Sequence, residues 1–163
     1  MEHRVKGTAG HGPARKVIAA VLAGGAAERM GGDKTGALLA GRPLVEYPVR
    51  ALVRAGLEPF VVTKEDRPVS MSGVKTVIEP PEPRHPLLGI ATALRSAPGY
   101  SVLVVAGDLP LLPPELLAWL AAREGIAVVP RIEGRLQPLA ALYGPDCLGT
   151  IEIGLATGRS VTA

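Results

Sequence analysis

The chain has 163 residues, 47% of them apolar and 20% charged, enough for one domain with a sizeable core and too short for two ordinary ones. A single cysteine excludes an internal disulfide and any cysteine-built metal cluster. The basic excess is local: the first 16 residues hold four of the 18 Lys and Arg but one of the 15 Asp and Glu, which leaves 14 of each beyond them. A nucleic-acid-binding patch on the folded part is therefore not expected, and five aromatic side chains leave little for stacking bases.

Residues 1–15 are expected to form a basic, flexible tail ahead of a domain spanning residues 16–163. No apolar run reaches the roughly 18 residues of a membrane span. The leader lacks the apolar stretch of a secretory signal, so a cytoplasmic protein without membrane contact is expected.

In chain order, residues 17–23 form a continuous apolar run ending on Gly24-Gly25, the pattern of a strand buried on both faces. Residues 43–56 space Leu44, Val45, Val49, Leu52 and Val53 as one helical face, with Pro43 in the first turn and Gly56 as the stop. Strands are expected at 59–63 and 74–78, then a helix at 87–97 closed by Pro98-Gly99. A buried strand at 101–106 runs into Gly107-Asp108, and a helix at 113–124 starts on Pro113 and stops at Gly125. Strands at 126–130 and 139–143, with Gly134 in a turn between them, precede a last helix at 145–156. Alternating strands and helices predict a single-domain, Rossmann-like three-layer αβα sandwich with a mainly parallel sheet, in which ligands bind beyond the carboxyl ends of the strands.

The densest chemical signal is the stretch from Leu22 to Lys34, with four glycines in nine positions that let backbone N–H groups approach phosphate oxygens. Arg29 and Lys34 add the positive charge that a triphosphate requires. The stretch matches neither the P-loop consensus nor the dinucleotide fingerprint. Asp108, just past a buried strand, is placed as a hard oxygen ligand; the alternative is a cap for the helix at Pro113, which the intervening gap disfavours. Cys147 reads as an ordinary buried thiol, and Arg131 and Arg135 either face an anionic acceptor or are simply solvated.

The wording of these stretches is more specific than their composition. Leu-Ala-Gly-Gly, Arg-Met-Gly and Asp-Lys, followed by Gly41-Arg-Pro-Leu44, resemble the signature loop of the molybdenum cofactor guanylyltransferases. Residues 86–94, Gly107-Asp-Leu-Pro-Leu-Leu112, residues 137–143 and Gly158-Arg-Ser-Val161 resemble that family's later motifs, in order. The resemblance implies that Leu22, Ala23, Gly24 and Gly25 line a GTP site through main-chain groups. It implies that Arg29 and Lys34 neutralise phosphates, that Asp108 holds Mg²⁺, and that Glu79 contacts nucleotide where the family often has Asp. The other reading of Glu79 is a solvated side chain before Pro80-Pro81.

The implied reaction is transfer of GMP from GTP to molybdopterin with release of pyrophosphate, and molybdoenzyme-maturation proteins are the implied further partners. The chain departs from the pattern at Ala27, where a Ser is usual, at His85, where a Gly is usual, and at 61–65, which offer no Asn. It also stops at Ala163, before a strand and an Asn-Thr-Pro segment that members carry, so a domain cut short at its acceptor site is expected. Alternatives are a CTP-dependent molybdopterin cytidylyltransferase or another small-phosphate nucleotidyltransferase, and a non-catalytic nucleotide-binding pathway protein.

Overall fold

A computed structural model describes residues 16–23 and 38–158. The tail at 1–15, Gly24, Gly25, Arg29 and Lys34, and the Arg-Ser-Val end of the last motif lie outside the described residues.

Strand β1 (Val17–Leu22) sits at the centre of a six-stranded sheet. It pairs in parallel with β4 (Pro59–Lys64) on one side and with β6 (Ser101–Ala106) on the other. Strand β5 (Lys75–Glu79) adds to the outer side of β4, also parallel. Beyond β6, β10 (Ala140–Tyr143) runs antiparallel and carries the short β7 (Ala127–Val128) at the far edge. The order β5-β4-β1-β6-β10-β7 is the mainly parallel sheet expected.

Why β1 is apolar at every position, and β6 at all but Ser101, follows from the two layers of helix. Alternate residues of a strand face opposite sides of the sheet. Ala20, Val62, Val102 and Val104 pack with helices α2 (Pro86–Ser96) and α4 (Cys147–Ala156). Their neighbours Ala19, Val21, Val61, Leu103 and Val105 pack with α1 (Glu46–Arg54) and α3 (Pro114–Ala121) on the other face. All six residues of β6 are buried. At about 25 cal/mol per Å² of apolar area, this double burial is the main force holding the three layers.

Several boundaries differ from the sequence expectation. Pro43 does not open a helix; it lies in β3 (Arg42–Pro43), which pairs with β2 (Leu38–Leu39) as a small hairpin. Tyr47 on α1 donates its hydroxyl to the Leu39 carbonyl and so ties that hairpin to the helix. The helix stops as expected: Gly56 has φ +78°, Gly56 N donates to Val53 O and Leu57 N to Leu52 O, the two bonds of a Schellman ending. Helix α3 starts at Pro114, with Pro113 as its extended N-cap and no side-chain cap. The stretch after β7 holds a second hairpin, β8 (Arg131–Ile132) with β9 (Arg135–Leu136). Its turn residues Glu133 and Gly134 have φ +49° and +79°, a left-handed pair that Gly134 makes accessible.

Candidate functional site

From β1 the chain builds outward through β4 to β5, then returns to the other side of β1 as β6. That reversal makes the carboxyl ends of β1 and β6 the switch point of the sheet, the place where open parallel sheets bind ligands. Leu22 closes β1, and Ala23 follows with its N–H donating to Val62 O at 2.8 Å. Across the gap, Gly107 N donates to Leu22 O at 3.0 Å, so the ladder runs one residue past β6, sets Gly107 against Ala23 and leaves Asp108 just beyond the sheet's edge.

Gly107 is required by this approach. A β-carbon there would stand 3.1 Å from Leu22 O and 3.5 Å from the Ala23 α-carbon, both backbone atoms that cannot swing aside. Asp108 itself is exposed and, among the described residues, makes no hydrogen bond or ion pair. It does not cap α3, whose N-cap is Pro113. No cluster of three or more His, Cys, Asp or Glu suited to a metal exists among the described residues. A lone exposed carboxylate fits Mg²⁺ bound through substrate phosphates and water rather than an ion held in an all-protein cage.

On the other flank of β1, Glu79 ends β5 and is 7% exposed, so it is not the solvated side chain of the alternative reading. Strand register places it opposite Lys64, the last residue of β4, and Lys64 Nζ lies 3.7 Å from Glu79 Oε1. Burial raises the Glu79 carboxyl above its ordinary range, while the Lys64 charge pulls it back down. The carboxylate also meets α2: a β-carbon on Gly89 would lie 3.0 Å from Leu22 Cδ1 and 3.3 Å from Glu79 Oε2. Lys64, Glu65, Asp66, Pro81 and Arg84 surround a depression of about 370 Å³ beside this pair.

The N-terminus of α2 opens on the same edge. His85, which stands where a Gly was expected, is its N-cap: Nδ1 accepts from Leu87 N at 3.1 Å. The late motif 137–143 is anchored by Gln137 N donating to Pro130 O at 2.8 Å, and by the buried Tyr143 hydroxyl donating to Pro138 O at 2.8 Å. Arg131 and Arg135 are exposed and, paired with Leu136 and Ile132 respectively, stand on opposite faces of their hairpin. Cys147 is buried and donates to Ile126 O at 2.8 Å, the structural thiol expected.

The fold thus brings four of the expected residues, Leu22, Ala23, Glu79 and Asp108, to one edge of the sheet. Sequence reading missed Lys64 as the partner of Glu79 and His85 as a cap. The first depends on the register of two parallel strands; the second was legible in His85-Pro86, a polar residue directly before a helix-opening proline.

A three-layer α/β domain with its functional groups at this edge has the architecture of a nucleotidyltransferase. The family model described as the MobA-like NTP transferase domain matches residues 19–161, and the chain belongs to that family. It is 34% identical to a probable molybdenum cofactor guanylyltransferase of Opitutus terrae, over 90% of this chain and 75% of that protein. It is 36% identical to a protein of the same description from Pyrococcus furiosus, over 83% of this chain and 72% of that one. Among solved structures, molybdopterin-guanine dinucleotide biosynthesis protein A from Archaeoglobus fulgidus superposes with a TM-score of 0.73 at 25% identity, covering 87% of this chain and 74% of its own.

Proposed function

We propose that this chain transfers GMP from GTP to molybdopterin, forming the guanine dinucleotide cofactor and releasing pyrophosphate. The observation that carries the reading is the close approach of Gly107 to Leu22 and Ala23, which sets Asp108 just past the carboxyl ends of β1 and β6, in a chain of the MobA-like family. The names of the relatives from Opitutus terrae and Pyrococcus furiosus support it.

In this reading the terminal phosphate of the acceptor attacks the α-phosphorus of GTP. A new P–O bond forms as the bond to the β-phosphate breaks, and pyrophosphate leaves with that bond's electron pair. The nucleophile is ionised at neutral pH, so no general base is required, and catalysis rests on alignment and charge neutralisation. Main-chain groups of Leu22, Ala23, Gly24 and Gly25 hold the nucleotide. Arg29 and Lys34 neutralise its phosphates, and Glu79 meets the nucleoside. Mg²⁺ at Asp108 would supply further neutralisation of the phosphates when bound. The setting is the cytoplasm, and the product passes to proteins that mature molybdoenzymes.

Calorimetric titration with GTP and CTP, each with and without Mg²⁺, tests the reading, followed by turnover with molybdopterin. Mg²⁺-dependent binding of GTP in preference to CTP and release of pyrophosphate are expected. Preference for CTP would move the assignment to a cytidylyltransferase, and nucleotide binding without turnover would make the chain a non-catalytic binder.

A further inference from the structure

Glu79 is the one buried carboxylate among the described residues. None of the described donor groups is hydrogen-bonded to it, and its one close counter-charge is the Lys64 ammonium, 3.7 Å away. A carboxylate held inside a fold ordinarily gathers several N–H or O–H donors; one that has a counter-ion and little else is shaped for donors from a ligand. The triphosphate cannot supply them, because it is anionic and offers only acceptors. The base and the ribose can, and the depression that Lys64 shares with Glu65, Asp66, Pro81 and Arg84 lies beside the pair.

Base chemistry then narrows the choice. Guanine presents two adjacent donors, N1–H and the 2-amino group, which the two oxygens of an ionised carboxylate accept together. Adenine and cytosine present a donor beside an acceptor, the partner of a neutral carboxyl group. The charge state of this side chain therefore decides which base it fits. We propose that Lys64 is a positioning residue that keeps Glu79 a pure acceptor, and that the Lys64–Glu79 pair thereby selects guanine. This rests on the guanylyl-transfer reading and adds to it what chooses the base.

The surroundings assign that task to Lys64. Strand β1 carries no titratable side chain, and α2 carries only Arg95 in its last turn, with His85 at its cap. Glu65, Asp66 and Arg84 line the neighbouring depression with Lys64, two acids and a second cation. Lys64, 18% exposed along its side chain, is the cation whose charge lowers the Glu79 carboxyl.

The test is nucleotide titration of the full chain with Mg²⁺, using GTP, inosine triphosphate and ATP, from about pH 6 to about pH 9. The wild-type protein is expected to bind GTP with a flat profile and to bind inosine triphosphate, which lacks the 2-amino donor, more weakly. Lys64→Met removes the charge that keeps Glu79 ionised. GTP affinity should then fall about tenfold at the acid end and recover as pH rises, with preference over ATP reduced. Lys64→Arg should restore the flat profile, which a merely structural role would not require. Should Lys64→Met fail to fold, Glu79→Gln replaces it, and its preference for GTP over ATP should be lost at every pH. Retention of guanine preference with an unchanged pH profile in Lys64→Met, or of that preference in Glu79→Gln, overturns the inference alone. Absence of GTP binding by the wild-type chain overturns both it and the reading on which it rests.

Discussion

The two ends of the sheet differ in what they can bind. At the amino end, Ile18, Val53, Phe60, Val74, Lys75 and Ser96 surround a depression of about 250 Å³. It is an ordinary hollow between strand starts, and the C-termini of α1 and α2 close on the same end with their carbonyl groups. The carboxyl end carries the N-terminus of α2 together with Leu22, Lys64 and Glu79 at the ends of their strands and Asp108 just past β6. Helix N-termini present unpaired N–H groups and partial positive charge, whereas C-termini present the opposite. The polarity is set by the parallel βαβ connections themselves, so the phosphate-binding end is decided before any particular side chain is chosen. Shape alone would not separate the two hollows; chain direction does.

The sharpest way to break this comparison is Asp108→Ala. Turnover is expected to fall by about 100-fold or more, while the thermal midpoint hardly moves, because the carboxylate is exposed and makes no contact among the described residues. Steady-state pyrophosphate release beside a melting curve checks both halves, and nearly full activity would remove Asp108 from the site. Next in size, Gly107→Val forces a β-carbon against the Leu22 carbonyl. A loss of about 1–3 kcal/mol in urea unfolding is expected, together with weakened GTP binding, since the switch point and the strand ladder share that contact.

A third substitution separates function from stability. Glu79 ionises at higher pH in the fold than in the unfolded chain, where its value is the ordinary one. Its burial therefore costs stability progressively as pH climbs from the ordinary carboxylate range through the raised value, and the fold is relieved of that cost below it. The double variant Lys64→Met with Glu79→Gln should flatten this slope and leave stability at neutral pH unchanged or raised by up to about 4 kcal/mol. Guanine preference should be lost at the same time; a fall in stability without that loss would mark the pair as structural. The smallest effect belongs to the amino end: Lys75→Ala should leave GTP affinity unaltered and stability within about 0.5 kcal/mol, measured by the same titration and melt.

How far the sequence could be read depended on what decided each element. The strands β1, β4 and β6 were plain as apolar runs because helices cover both of their faces, which removes the need for alternation. The place of Asp108 at the sheet's edge was legible because it comes two residues after such a run. The start of α1 was misplaced because the apolar spacing that buries Val45, Val49 and Leu52 continues back through Leu44 to Pro43. Periodicity does not say where hydrogen bonding begins, and Pro43 takes a place in a hairpin instead. The Lys64–Glu79 pair was hidden because neither residue has a local signature. Its existence follows from the register Lys64↔Glu79 between two strands separated by a loop, and register is a tertiary fact.

The central position of β1 has a consequence for how the molecule comes into being. This strand is made before the others of the sheet, yet one of its two neighbours is β6, so Val17 must find Ser101 across about half of the chain. Contacts of such sequence separation are slow to form, because the closure entropy of the intervening loop precedes any gain. During synthesis β1 is an apolar ribbon with an open edge, the kind of segment on which chaperones act and from which aggregation begins. A chain interrupted anywhere before β6 leaves that edge unpaired.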